Sequence, residues 1–260
     1  KNRYLTILDT AKANNLNAII FQIRPCNDAF YPSEYNPWSE YLCGYGVNPG
    51  WDPLEWMIEV THEYGLEYHA WLNPYRATAS SNVSIIEKSG TIRNVVDYDD
   101  QKLQADKKSV FGSLKNRAGK TPSGSDYQNP VFSEGKQLEH NVVLGAEDKY
   151  VLNPAASETI EHLENTIEEI ITNYNIDGIH FDDYFYPATD ESIDENEFLS
   201  YRNSGGDMSL DDWRRENISD MIKRVYNAVK TINPDVVFGV SPASNIEKNY
   251  SSLYADVEKW

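Results

Sequence analysis

Only two cysteines, Cys26 and Cys43, occur in the 260 residues. That is too few for a disulfide scaffold, and their spacing is not that of metal ligands. Both lie in one segment after a predicted strand, so a disulfide is open to them, beside the simpler reading of two independent thiols. Basic residues are scarce as well: 23 Lys and Arg stand against 41 Asp and Glu, a net charge of −18. DNA or RNA, which needs clustered cations, would be repelled. No run of about 18 apolar residues exists, so no membrane-spanning helix is expected. Lys1 follows no Met, basic segment or apolar leader, and the chain reads as a mature or trimmed piece. Also missing are G-x-G-x-x-G after a strand, GxxxxGK[ST], HExxH and G-x-S-x-G, and with them support for dinucleotide, phosphate-loop, zinc-protease and serine-hydrolase chemistry. No cofactor is expected.

Aromatic rings are plentiful, with 18 Tyr and 6 Trp. Most belong in a core. The rest suit a sugar, whose C–H faces stack on rings that also offer a polar tip. A neutral glycan is compatible with the negative charge.

The periodicity predicts alternating elements. Residues 2–15 read as a helix with Tyr4, Leu8 and Ala11 on one face, followed by a buried strand at Ala18–Arg24. A loop rich in Pro and aromatics runs to Trp51. Asp52-Pro-Leu-Glu55 opens a helix with Leu54, Met57, Thr61 and Tyr64 inward and Gly65 at its end. Glu67–Asn73 is a strand. Residues 76–150 are polar with little periodicity and read as an insertion, with a hairpin of its own as one form, lying over the adjacent face and shaping substrate access. Asn153-Pro154 is expected to cap a helix with Ile160, Leu163, Ile167, Ile171 and Tyr174 inward, followed by a strand at Asn175–Phe181. Ser209 with Asp212 starts another, with Ile218, Ile222, Val225, Val229 and Ile232 inward, then a strand at Val236–Ser241 and a helix from Tyr254. Such alternation implies a parallel sheet with right-handed crossovers.

Side chains alternate along each strand. Ile19, Phe21 and Ile23 share one face; so do Tyr68, Ala70 and Leu72, Ile179 and Phe181, and Val236, Phe238 and Val240. The other parity turns polar toward each strand's C-terminal end, at Arg24, Asn73, Asp182 and Ser241. Barrel enzymes build their sites at that end, from several strands. Each residue alone is explained by a hydrogen bond at a strand terminus; four in phase favour a site.

Longer motifs now stand out: Phe21-Gln-Ile-Arg-Pro25, Asp28-Ala-Phe-Tyr-Pro32, Pro37-Trp-Ser-Glu-Tyr-Leu42, His69-Ala-Trp-Leu-Asn-Pro-Tyr-Arg76, Asp177-Gly-Ile-His-Phe-Asp-Asp-Tyr-Phe-Tyr-Pro187 and Gly239-Val-Ser-Pro242. In this order they resemble the glycoside-hydrolase-like 10 family of bacterial envelope proteins, some linked to cutting peptidoglycan glycan strands. The resemblance implies an α/β fold of the (β/α)8 TIM-barrel type, incomplete in this chain with strands two to five visible. It also implies one glycosidase domain over residues 1–260 with an insertion at about 76–150, and a secreted or cell-envelope location. Gly178-x-His180-x-Asp182 further looks like the nucleophile strand of α-amylase-type barrels, although the Glu that ends their next strand is here Ser241 or close to it.

The expected activity is hydrolysis of O-glycosidic bonds in a bacterial polysaccharide. Asp182 is the expected carboxylate, with Asp183 and Asp28 as candidate partners; Asp183 has the opposite parity, and Glu247 also lies in a loop after a strand. Substrate-binding candidates are Arg24, Trp38, His69, Asn73, Tyr75, Arg76, His180, Tyr184, Tyr186, Ser241 and Asn245. Cys26 is assigned no role. Two other readings stay open: a glycan-binding barrel that lost its chemistry, and a metal-dependent hydrolase using His69, His180 and Asp182, whose histidines lack i, i+4 spacing.

Overall fold

The Asp52 side chain accepts hydrogen bonds from the backbone N–H of Leu54 (3.0 Å) and Glu55 (3.1 Å). With Pro53 as the first helical residue, this cap starts helix α2 (Pro53–Glu63) where the sequence predicts it. Gly65, at φ 66°, turns the chain out of the helix in a conformation that costs glycine little. The computed structural model describes residues 1–44, 46–77, 142–144, 150–182, 185–186 and 193–260. Around α2 run α1 (Asn2–Ala13), β1 (Ala18–Arg24) and β2 (Glu67–Leu72). Next come β3 (Val142–Leu144), β4 (Tyr150–Leu152), α3 (Ser157–Asn173) and β5 (Gly178–Phe181). Then follow α4 (Glu195–Asn203), α5 (Leu210–Ile232), β6 (Val237–Val240) and α6 (Ile246–Ser252).

Four strands form one parallel sheet in the order β1-β2-β5-β6. The parity read from the sequence holds. Ile19, Ile23, Tyr68, Ala70, Leu72, Ile179, Phe181 and Val236 are buried, and join Leu8, Leu54, Leu163, Ile167, Met221 and Val225 of the helices in one core. The opposite face is more open, with Ile20 and Val237 each 50% exposed. β3 and β4 pair antiparallel, and β4 meets the end of β2 through the Arg76–Val151 bridge and the Leu152 N–H donating to the Tyr75 carbonyl (2.7 Å). A hairpin therefore closes the predicted insertion; residues 78–141 lie outside the described residues.

Three local expectations are corrected, and one helix was not read. Asn153 is not the cap of α3: its Oδ1 accepts from Ala155 N (2.9 Å) in a turn, and the helix starts at Ser157 behind Ala156. Helix α4 has no buried face and so left no apolar periodicity to read. Tyr254 does not start a helix; it sits at φ 50°, and the helix lies earlier, at α6. Ile232 ends α5 at 38% exposed, outside the buried face.

Candidate active site

The C-terminal ends of β1, β2 and β5 are joined by one chain of hydrogen bonds. The Asn73 N–H donates to the Arg24 carbonyl (3.0 Å), and the Arg24 guanidinium returns a bond to the Asn73 carbonyl (2.6 Å). Asn73 Oδ1 accepts from the N–H groups of Tyr75 (3.2 Å) and Arg76 (2.6 Å). With its oxygen so engaged, its Nδ2 faces Asp182 and donates to Oδ1 (2.8 Å). The other Asp182 oxygen lies 3.9 Å from an Arg76 nitrogen. Arg24 and Asn73 are fully buried, whereas the Asp182 side chain keeps 14% exposure. The three strand-end residues thus converge, and the carboxylate alone among them opens to solvent.

One residue pair below, two histidines line the open face. His69 Nε2 bonds Glu67 Oε2 at 3.0 Å, and His180 Nε2 shares a bond with Ser241 Oγ at 2.9 Å. Their rings lie against the glycines of the next strand: a Cβ on Gly178 would fall 2.3 Å from His69 Nδ1, and one on Gly239 would fall 3.1 Å from His180 Nδ1. Burial, then the His69 ring, hold His180 below its ordinary pKa and favour the neutral imidazole. Among the described residues no group of three or more His, Cys, Asp or Glu is placed to hold a metal ion. His69 bonds Glu67, His180 bonds Ser241 and Asp182 bonds Asn73.

Beyond β1 the loop folds back on itself. Asp28 is 2% exposed, accepts from Cys26 N (2.8 Å) and pairs with Ser39. Burial pushes its carboxyl up to about 6. Its bonds fasten the loop, and its carboxyl is enclosed. Cys26 and Cys43 are both free thiols, and burial pushes Cys26 up to about 12. The ring expectations also need correction. Trp38, Tyr75 and Tyr186 are 4%, 0% and 1% exposed, so they pack in the interior and offer no stacking surface. Tyr186 packs edge-on against Tyr254 and donates its hydroxyl to Asp194. Arg24, wholly enclosed, meets Asn73, Asn36 and Asn27. Asn245 is the exposed N-cap of α6, accepting from Lys248 N (2.8 Å). Asp183 and Tyr184 lie outside the described residues.

The profile of the glycosyl hydrolase-like 10 family matches residues 1–108 and 124–260. The chain belongs to the glycosyl hydrolase-like 10 family. Similar curated proteins include the glycosyl hydrolase YngK of Bacillus subtilis, 35% identical over all of this chain and 46% of its own length. Another is the glycosyl hydrolase DigH of Escherichia coli K12, 33% identical over 97% of this chain and 53% of its own length. The chain thus spans about half the length of these curated relatives. Among solved structures, α-L-fucosidase isoenzyme 2 of Paenibacillus thiaminolyticus superposes with a TM-score of 0.52 at 15% identity, over 96% of this chain and 30% of that one. That likeness concerns fold alone.

Within this family member, several residues of the site carry no sequence signal of their own. Asn27, at φ 51°, accepts from both Arg24 and His162, the latter at 2.7 Å from helix α3. Asn36 accepts from Arg24 (3.1 Å) and donates to Thr166 (3.0 Å). Tyr41 is an exposed ring of this loop, at 56%. Partial burial, then Cys26, Glu40 and Asp28, raise its hydroxyl pKa while Arg76 lowers it. The Pro37–Leu42 motif carries Tyr41, but only the fold distinguishes it from the buried Trp38.

Proposed function

We propose that this chain carries the catalytic face of a glycoside hydrolase that cuts O-glycosidic bonds of a bacterial polysaccharide, such as the glycan strands of peptidoglycan. The observation that carries this reading is Asp182: a partly open carboxylate at the end of a parallel strand, oriented by Asn73 and faced by Arg76. Membership of the glycosyl hydrolase-like 10 family supports the class of reaction.

Glycoside hydrolysis passes through an oxocarbenium-like transition state, flanked by two carboxyl groups. A hydrogen-bond donor and a guanidinium beside Asp182 favour its charged form. That form stabilises positive charge at the sugar carbon or attacks it. The partner acid protonates the leaving oxygen; with Asp28 enclosed, Asp183 and Glu247, the latter exposed in the first turn of α6, are the candidates on this chain. A separation of about 5 Å would give retention, and 6.5 Å or more inversion. Tyr41 takes over the stacking role that Tyr75 and Tyr186 cannot fill.

We infer further that the four strands belong to a (β/α)8 barrel. The face away from the helices exposes Ile20 and Val237, and it encloses Gln22 Nε2 and Trp71 Nε1 without partners among the described residues. Closure supplies both cover and partners. The protein acts outside the cytoplasm, where such glycans lie; fractionation that finds it only in the cytoplasm would contradict this. Among the described residues no helix is long and apolar enough to cross a membrane.

A second reading is glycan binding without cleavage. The enclosure of Asp28, which removes one candidate acid, favours it. The experiment is incubation of the whole protein with purified glycan strands, measuring new reducing ends and binding together. Release of reducing ends supports hydrolysis. Binding with no release moves the assignment to the second reading, and neither result defeats both.

A further inference from the structure

We propose that Asn73 is a positioning residue that holds Asp182 in one rotamer in its ionised form, and that the buried Arg24 acts on the site through Asn73. This rests on the reading of Asp182 as the catalytic carboxylate. It replaces the expectation that Asn73 and Arg24 bind substrate, since both are fully enclosed.

The argument is geometric. An amide side chain flips freely unless its two ends are told apart by their partners. Here they are. Two backbone N–H groups, of Tyr75 and Arg76, require an acceptor, so Oδ1 must face them. The only remaining end, Nδ2, then points at Asp182 Oδ1. A donor fixed in this way stabilises a carboxylate and not the acid's O–H, so it selects the charged state.

The backbone of Asn73 is held equally firmly. Its N–H and C=O are both bonded to Arg24, one to the carbonyl and one to the guanidinium. Arg24 is itself clamped by Asn36 and Asn27. These two are tied to helix α3 through Thr166 and His162. His162 is fully buried, and burial together with Arg24 holds its pKa well below the ordinary value. It is therefore a neutral donor toward Asn27 Oδ1. The path His162–Asn27–Arg24–Asn73–Asp182 runs from the helix layer to the site with a hydrogen bond at every step.

Two substitutions separate holding the turn from holding the carboxylate. Asn73→Ser and Asn73→Asp both keep a side-chain oxygen able to accept from the Tyr75 and Arg76 N–H groups, as Ser and Asp do in turns. The Ser hydroxyl, one atom shorter than the amide, does not reach Asp182 with its donor, and an ionised Asp has no donor and adds a like charge. In the whole protein acting on glycan strands, both should melt near the wild type. Both should lower kcat by about tenfold to a hundredfold, the scale of a small misplacement of a reacting group, with KM little changed. The acidic limb of the kcat/KM profile should move to higher pH, further for Asp than for Ser. Unmoved profiles in folded variants would overturn the proposal and leave Asn73 a turn former.

A second measurement does not depend on turnover. Carbodiimide labels protonated carboxyls, so Asp182 labelling against pH, read by peptide mass spectrometry, reports its ionisation directly. The labelling midpoint should rise in both variants relative to the wild type. If no glycan is cut by any form yet the midpoint rises, the catalytic reading fails and the positioning role stands. If glycan is cut and the midpoint does not move, the reverse holds. Should both Asn73 variants fail to fold, Arg24→Lys is read by the same labelling; it keeps the charge but not the planar guanidinium that reaches Asn73, Asn36 and Asn27 together. An unmoved midpoint there overturns the role given to Arg24.

Discussion

Asn73 and Asp182 end neighbouring strands, and their side chains meet at 2.8 Å, one wholly buried and one partly open. The enclosed amide is a fixed support; the carboxylate is the reactive surface. Four further consequences of the structure can be measured separately.

Gly178 should resist enlargement. An added Cβ would collide with the His69 ring at 2.3–2.8 Å, so the ring must leave Glu67. Gly178→Ala should cost about 1–3 kcal/mol of stability, the usual scale of overpacking. The double variant with His69→Ala should recover most of that loss, a non-additive result read from thermal melts. Equal losses with and without His69 would remove the contact from the account.

Asp194 and Arg214 form a bidentate pair at 2.6 and 2.8 Å, with side chains at most 1% exposed. Asp194→Asn leaves an enclosed guanidinium without its counter-charge, and should cost about 3–5 kcal/mol. Tyr186→Phe loses only a hydroxyl bond to the same carboxylate, and should cost about 1 kcal/mol with no change in KM. A raised KM would return Tyr186 to the sugar site.

Glu169 anchors the β1 loop to helix α3, accepting from Ser33 Oγ (2.6 Å) and from the Glu34 N–H. Burial pushes its carboxyl up from 4.5 to about 7. The folded state therefore holds the proton where the unfolded state has lost it. The stabilisation is complete below about 4.5 and fades as pH rises through about 7. The stability advantage of the wild type over Glu169→Gln should accordingly shrink between pH 5 and pH 8 in denaturant titrations, by at most roughly 3 kcal/mol. An advantage that grows with pH would mean the carboxylate is ionised in the fold.

Tyr41 should act as a stacking surface. Tyr41→Ala in the whole protein should weaken oligosaccharide binding by about 1–2 kcal/mol, within the range of an exposed aromatic contact, while Tyr41→Trp should retain it. Affinity equal to wild type in the alanine variant would make the ring a bystander.

Much of the sheet was legible because burial leaves a period. The inward parity of all four strands, and of α1, α2 and α5, is written in apolar spacing, and the Asp52-Pro53 and Ser209 starts are written in local hydrogen bonding. Helix α4 was not legible because none of its residues is buried. The in-phase polar ends pointed correctly to Asn73 and Asp182 converging. The sequence could not separate the layers of that site. Arg24, Trp38, Tyr75 and Tyr186 have the residue types of a sugar subsite, yet each is enclosed. The enclosure of Arg24 depends on Asn27 and Asn36 and on their ties to His162 and Thr166 of α3, a helix far from them in sequence.

The most direct test of the central claim is turnover by Asp182→Asn in the whole protein on glycan strands, with folding checked by thermal melt. The amide keeps the shape and one acceptor but loses the charge. The account predicts a folded variant whose kcat falls by about a thousandfold or more, the scale expected when a key catalytic group is removed. A folded variant that turns over near the wild-type rate would show that Asp182 only braces the ends of the strands.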